Sequence, residues 1–380
     1  MKNWSEKTLD ELGYVSRGRS RHRPRDAAHL YGGDYPFIQT GDIKHSNLYI
    51  TEYSQTYSEA GLEQSRLWKA GTLCITIAAN IADTAILSFD ACFPDSVMGF
   101  IADEDKADAR FIKYLFDALL QKQFKQFTQG AAQDNLSQEK LLSIKFPVPS
   151  DVNIQRRIAD ILSAYDDLIE NNRRRIDLLE QSARMLYKEW FVSLRFPGHE
   201  HVKVKDGVPQ GWERLPLGDV LTLQRGFDLP TSQRVDGDVP IYASTGINGY
   251  HNKAMVQAPG VVTGRSGSLG TVMYVLDDFW PLNTSLWVKE FKRVTPVFAY
   301  HLLSGLHLEQ FNGGAAVPTL NRNDVHKIEV LCPPQMLIDN FAEFVLSIYE
   351  QIKLLTQSNT KLQQARDLLL PRLMNGEIPL

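Results

Sequence analysis

Five arginines occupy every second position of the run Arg17-Gly18-Arg19-Ser20-Arg21-His22-Arg23-Pro24-Arg25. So dense a run of permanent charge is not buried without partners, and Gly18 and Pro24 interrupt any helix through it. Along an extended segment, alternate residues share one edge, which predicts five guanidinium groups facing a polyanion such as a phosphate backbone; the alternative is a merely soluble, flexible loop. A second candidate is Thr263-Gly264-Arg265-Ser266-Gly267-Ser268-Leu269-Gly270. Its glycines fall at i, i+3 and i+6, the wrong spacing for a dinucleotide fingerprint. They predict a tight turn that brings backbone amides and Arg265 to a phosphate or a base edge. Catalytic patterns are thin. Pro94-Asp95 with Glu104-Asp105-Lys106 fits the loose nuclease arrangement of two magnesium-binding carboxylates and a lysine that steadies water. The same stretch reads equally well as a solvated acidic turn before a helix. Gly198-His199-Glu200-His201 lacks the i, i+4 histidine spacing and the third ligand of a zinc site, and reads as linker. There is no Asn/Asp-Pro-Pro-Tyr/Phe tetrapeptide of an amino-methyltransferase and no P-loop, so neither methyl transfer nor ATP hydrolysis is expected of this chain.

The elements that must position these residues come in two sets. After Pro147-Val148-Pro149, apolar residues recur every three or four positions from Ile154 through Tyr165, Ile169, Leu179 and Leu186 to Trp190. This predicts one amphipathic helix on the order of 60 Å long. After Cys332-Pro333-Pro334 the same stripe returns through Leu337, Phe344, Ile352, Leu355, Leu362 and Leu369, ending near Leu370-Pro371. A stripe that long needs a partner of similar length, so the two helices are expected to pair. Each carries one asparagine in the stripe, Asn172 and Asn359. These either fix register in a buried seam or lie at its solvated edge as the stripe drifts.

The preceding segments also repeat. Trp4, Leu9 and Arg17-Gly18 return as Trp212, Leu217 and Arg225-Gly226 at a constant separation. Thr40-Gly41 returns as Thr245-Gly246, Gly71-Thr72-Leu73 as Gly260-Val261-Val262, and Tyr114 as Tyr300. Phe127-x2-Gly130-Ala131-Ala132-x3-Leu136 returns as Phe311-x2-Gly314-Ala315-Ala316-x3-Leu320. A duplicated unit of one lobe followed by one long helix is the expected architecture, with a pseudo-twofold axis and neighbouring termini. The expected divisions are a first lobe over 1–150, a first helix over 151–195, a linker and second lobe over 196–335, and a second helix with its tail over 336–380. At 380 residues the chain exceeds one comfortable core. Its net charge of -4 provides no global basic field, so any nucleic-acid contact must be local. Three scattered cysteines exclude a disulfide framework, and no apolar run is long enough to span a membrane. A cytoplasmic protein is expected.

Over nearly its whole length the sequence resembles the specificity subunit of type I restriction–modification enzymes. The most specific residues are Leu186-Tyr187-Lys188-Glu189-Trp190-Phe191 with Arg195-Phe196-Pro197 and Gly211-Trp212, and the tail from Ala365 to Ile378. The turn at Gly264 is similar to one common in that family's recognition domains; the first lobe departs there, with Ala78-Ala79-Asn80-Ile81-Ala82. The resemblance implies an α+β fold with two tandem target recognition domains separated by two long antiparallel helices in a coiled coil. It implies a non-catalytic chain that reads a bipartite target in double-stranded DNA. Its partners would be methyltransferase subunits and, through the complex, a nuclease/translocase subunit. S-adenosylmethionine, ATP and magnesium are then expected on those partners, and no cofactor or metal on this chain. In the first lobe the expected DNA contacts are Arg17, Arg19, Arg21, Arg23 and Arg25, with Thr40, Asp42 and Asn80 nearer base edges. In the second they are Arg225, Thr245, Asn248, Arg265, Ser268 and Asn283. Tyr165, Asn172, Leu179, Leu186 and Trp190 are expected to face Ile352, Asn359, Leu362 and Leu369 across the helix pair. The rival is a coiled-coil scaffold whose two lobes bind ligands without any DNA role.

Overall fold

The computed structural model describes residues 4–78, 81–127, 137–313, 318–378 and 380. The chain divides into two compact units, Met1–Asn172 with Ser358–Leu380, and Arg173–Gln357. Each unit takes one α+β lobe and part of both long helices, so the boundary crosses the helices rather than falling at their ends.

In the first unit, strands β1 (Gly13–Arg17), β2 (Leu73–Thr76), β3 (Thr84–Leu87) and β4 (Val97–Ala102) form a sheet in the order β1-β4-β2-β3. Tyr49–Ile50 adds in parallel beside β3. Helix α1 (Ala109–Phe127) buries Phe111, Ile112, Leu115 and Phe116 in one core with Leu73, Ile75 and Phe100 of the sheet. The second unit repeats this plan. Strands β5 (Leu221–Arg225), β6 (Gly260–Gly264), β7 (Val272–Val275) and β8 (Ser285–Phe291) stand in the order β5-β8-β6-β7. Each lobe is also tied at its base by an antiparallel strand pair, Trp4–Lys7 with Phe146–Pro149 and Glu213–Pro216 with Glu329–Cys332.

Backbone pairing fixes the equivalence residue by residue. Thr76 pairs with Val97, and Gly264 with Ser285, at the same corner of the two sheets. The repeat is therefore one residue off the alignment read from the glycines: Leu73 corresponds to Val261. The turn after β2 closes from Thr76 to Asp83 and the turn after β6 from Gly264 to Thr271, so they are equal in length despite their unlike sequences. The duplicated Gly-Ala-Ala segments fall largely outside the described residues.

Two long helices follow the lobes, α2 (Val152–Tyr187) and α4 (Gln335–Met374), with α3 (Pro296–Gly305) in the second lobe as the counterpart of α1. The start of α2 is anchored by Gln155, fully buried, whose amide donates to the carbonyls of Pro149 and Lys106 and whose oxygen accepts from the Asp108 amide. Past Tyr187 the helix widens into a π-turn, Lys188–Val192, that buries Trp190 and Phe191. Helix α4 runs through Pro371 instead of ending before it. A proline in the last turn loses few helical bonds, and Leu373 and Met374 draw that turn into the first lobe's core.

Within each unit the helices run antiparallel. Asp166 meets Arg366 and Asn172 meets Asn359 in the first; Trp190 lies 6.2 Å from Phe341 in the second. Phe344, expected in the second stripe, and Leu168, at stripe spacing beside Ile169 in the first, are 63% and 54% exposed. A 3.6-residue helix drifts out of a straight seam, and these two have rotated away from it. Among the described residues no helix is long and apolar enough to cross a membrane. The three cysteines are buried free thiols.

Candidate nucleic-acid interface

Arg17 and Arg225 end the equivalent strands β1 and β5, and each is followed by a glycine. A Cβ at Gly18 would lie 2.3 Å from the Pro94 carbonyl oxygen, and one at Gly226 would lie 2.1 Å from that of Leu282. Neither distance is possible for a side chain, so both glycines are fixed by this close approach. It also shows which residues are equivalent across the lobes: Asp95, next after Pro94, corresponds to Asn283, next after Leu282.

Beyond Gly18 the arginine run does not present one edge. It is a loop with a turn, and its side chains diverge. Arg19 is turned inward to the Ser65 carbonyl, while Ser65 donates its hydroxyl to the Arg19 carbonyl. Arg23 folds back on the carbonyls of Ser20 and His22, both at 2.8 Å. Arg25 pairs with Asp95 at 2.8 Å. Arg17 and Arg21 are exposed, the backbone of Arg21 being held by Gln64. The single-edge expectation fails because carbonyls within reach of a guanidinium are satisfied locally, and alternation carries over only where the backbone stays extended. Arg66 lies 3.9 Å over the Trp68 ring and donates to the Tyr14 hydroxyl, an aromatic–cation stack that no local sequence pattern signals.

Thr40 opens a short helix, Thr40–His45, and Asp42 caps it, accepting from the Gln39 amide at 2.8 Å. Asp42 therefore works first on its own helix terminus. Asn80 lies outside the described residues. In the second lobe Thr245 sits in the turn between Val239–Ala243 and Gly246–His251. Asn248 is exposed on the second of these strands and is gripped by Arg234, which donates to its backbone and side-chain oxygens at 2.6 and 3.1 Å. Ser268 is exposed in the turn after β6, where Gly267 and Gly270 are left-handed. Arg265 donates through Nη1 to the Asn283 carbonyl at 3.3 Å. Asn283 donates its amide to Asp228, which also pairs with Arg225 at 3.3 Å. Three of the expected residues, Arg225, Arg265 and Asn283, thus converge, and Asp228 joins them without having been singled out in the sequence.

The nuclease pattern comes apart. Asp95 precedes β4 and Glu104 follows it, which separates them by roughly 20 Å or more at a strand's rise per residue. Two ligands of one magnesium ion must lie within a few ångströms of it. Asp95 is engaged by Arg25, and Lys106 by Asp103 at 2.7 Å.

On the helices, Asn172 is 9% exposed and donates to Asn359 at 2.9 Å, so the pair lies in the seam rather than at its wet edge. Beside it in the first unit, Asp166 accepts from Tyr114 of α1 and from Arg366 of α4. Burial and the neighbouring carboxylate push the Tyr114 hydroxyl far above the usual phenol range. In the second unit His301 of α3, next after the Tyr300 that the sequence pairs with Tyr114, lies 3.2 Å from the Tyr349 hydroxyl of α4. Burial lowers the His301 pKa to about 3. Trp190 and Ile352 are buried in the second unit's core and Leu179 and Leu186 pack against it; Leu369 packs against the first. Tyr165 and Leu362 are half-buried.

A family model for the type I restriction modification DNA specificity domain matches residues 1–181 and 209–364. The MjaIX type I restriction enzyme specificity subunit of Methanocaldococcus jannaschii is 26% identical over 412 residues, covering 99% of this chain and 94% of that one. The HindI type I restriction enzyme specificity subunit of Haemophilus influenzae is 24% identical over 479 residues, covering all of both. The crystal structure of the type I restriction–modification S subunit from M. genitalium superposes with a TM-score of 0.64 at 19% identity, over 98% of this chain and 96% of that one. At that identity the superposition speaks for the fold.

Proposed function

The chain belongs to the type I restriction modification DNA specificity family, and from that premise we propose that it reads a split duplex sequence, one block per lobe. In this reading it carries that address to methyltransferase subunits and, through the complex, to a nuclease/translocase subunit. Those partners hold S-adenosylmethionine, ATP and magnesium, and this chain contributes no catalytic group. Its work is then in the cytoplasm, with its DNA. The observation that supports the reading is the strand order β1-β4-β2-β3 returning as β5-β8-β6-β7 while the residues at the ends of those strands differ. Two copies of one frame with unlike edges suit two unlike half-sites. A scaffold without a DNA role has no use for that difference.

The test is selection of binding sites from a randomised duplex pool by the full chain with its modification subunits. Two short unrelated blocks with a fixed gap are expected. A single block, or no sequence preference, would sink the reading. The helices are proposed to set the gap. Because Asn172 is tied to Asn359, a length change must be made in both helices together. Matched seven-residue insertions, after Ile176 in α2 and after Ile352 in α4, add about 10 Å and should lengthen the gap by about three base pairs. An unchanged gap in a folded, active variant would leave the helices without that role.

A further inference from the structure

The strand ends of the second lobe hold a group of four side chains whose chemistry is more specific than positive charge. Arg225 and Asn283 both donate to the carboxylate of Asp228, and Arg265 donates to the main-chain carbonyl of Asn283. Asp228 is an acceptor only, so the Asn283 amide must present nitrogen to it, and its oxygen faces away. One amide hydrogen is used. The other hydrogen and the oxygen keep the donor–acceptor pair that matches N7 and N6 of adenine. Arg225 gives one Nη2 hydrogen to Asp228 and retains donors for O6 and N7 of guanine.

The carboxylate decides between the two kinds of DNA contact open to these groups. A phosphate placed against Arg225 would meet the negative charge of Asp228 within a few ångströms, which costs affinity at any dielectric a surface offers. A base edge carries no such charge, and a cytosine amino group would be accepted by the carboxylate itself. Asp228 is 66% exposed and Arg225 49%, so both reach solvent on the face where the strand ends meet. The first lobe has one acid–arginine pair at the equivalent place, with the acid on the other segment. Asp95, at the position equivalent to Asn283, pairs with Arg25 of the loop that follows β1.

We propose that Asp228 is a specificity-determining residue of the second lobe: it holds Arg225 and Asn283 side by side as one base-reading unit, and Asp95 does the same for Arg25 in the first lobe. This rests on the DNA-reading role proposed above.

Asp228→Asn keeps the shape and removes the charge. Sites would be selected from a randomised duplex pool by the full chain with its modification subunits, and the bound sequences read. One or two positions of the second block should change base or lose preference by about tenfold or more, the scale of one bidentate contact. The first block should stay as it was. Asp95→Asn should do the converse. Evenly weaker binding with both blocks intact would overturn the proposal, as would no change. If Asp228→Asn melts at a lower temperature than the parent, Arg225→Lys keeps the charge and removes the fork, and must move the same base positions; failure to do so overturns the proposal equally. Wild-type protein that selects no split sequence overturns the DNA-reading role itself, a result independent of Asp228.

Discussion

At the scale of single residues, charge is legible in sequence and orientation is not. The arginine run names five cations, but Arg19 and Arg23 turn onto carbonyls and Arg25 onto Asp95, seventy residues away. Nothing in the local pattern announces a partner that far along the chain, and Asp228 stayed invisible as a partner of Asn283 for the same reason. Arg23 and Arg25 are exposed as well, but among the described residues Arg17 and Arg21 are the two of the run whose guanidinium groups are not turned onto such a partner. Replacing both with Gln should weaken binding to all duplexes alike and lower the salt slope by about one for each phosphate no longer neutralised, measured by titration at several salt concentrations. Arg19→Gln should instead lower the melting temperature, because it leaves the Ser65 carbonyl short of its donor. A pH effect belongs to His301. Below about pH 6.5 the unfolded chain takes up a proton that the folded protein refuses until about pH 3. Stability is therefore fully present above that window and declines as pH falls through it. The decline should reach about 2 kcal/mol at pH 5, and His301→Gln should flatten the acid limb of a melting-temperature profile.

At the scale of elements, periodicity carried most of the information. Two stripes bounded by proline predict α2 and α4 within a few residues, because a run of spaced apolar positions leaves a helix few alternatives. The repeat of the lobes was legible from matched tryptophans, leucines and glycines, but its register was not. One residue of difference was settled only by which strands pair. The seam itself makes a prediction. Asn172→Leu alone buries an apolar side chain against an Asn359 deprived of its donor, and should lower the melting temperature. Asn172→Leu with Asn359→Leu should restore that stability or exceed it, while relaxing the register that the amide pair enforces. A double variant no more stable than the single one would mean that apolar packing adds little to the seam here. Gln155 is the second polar fixture, and Gln155→Leu strands two carbonyls and one amide at the base of α2. The expected cost is about 2 kcal/mol or more, measured by denaturant titration.

At the scale of the whole molecule, the division into units does not follow the order of the chain. Leu369, Leu370, Leu373, Met374 and Ile378 pack into the core built by the first lobe, and Trp4 lies against Gly376. Removing residues 369–380 should therefore expose the first lobe to proteolysis while the second lobe's core, which includes none of them among the described residues, keeps its protection. Equal deprotection of both lobes, followed by hydrogen exchange, would contradict this. The same packing has a consequence for how the protein comes into being. Those residues leave the ribosome after the entire second lobe, so the lobe begun first is finished last. A nascent chain must carry its first lobe with an open apolar seam while the second is being made. A premature stop near the end of the message would then do its damage at the beginning of the protein.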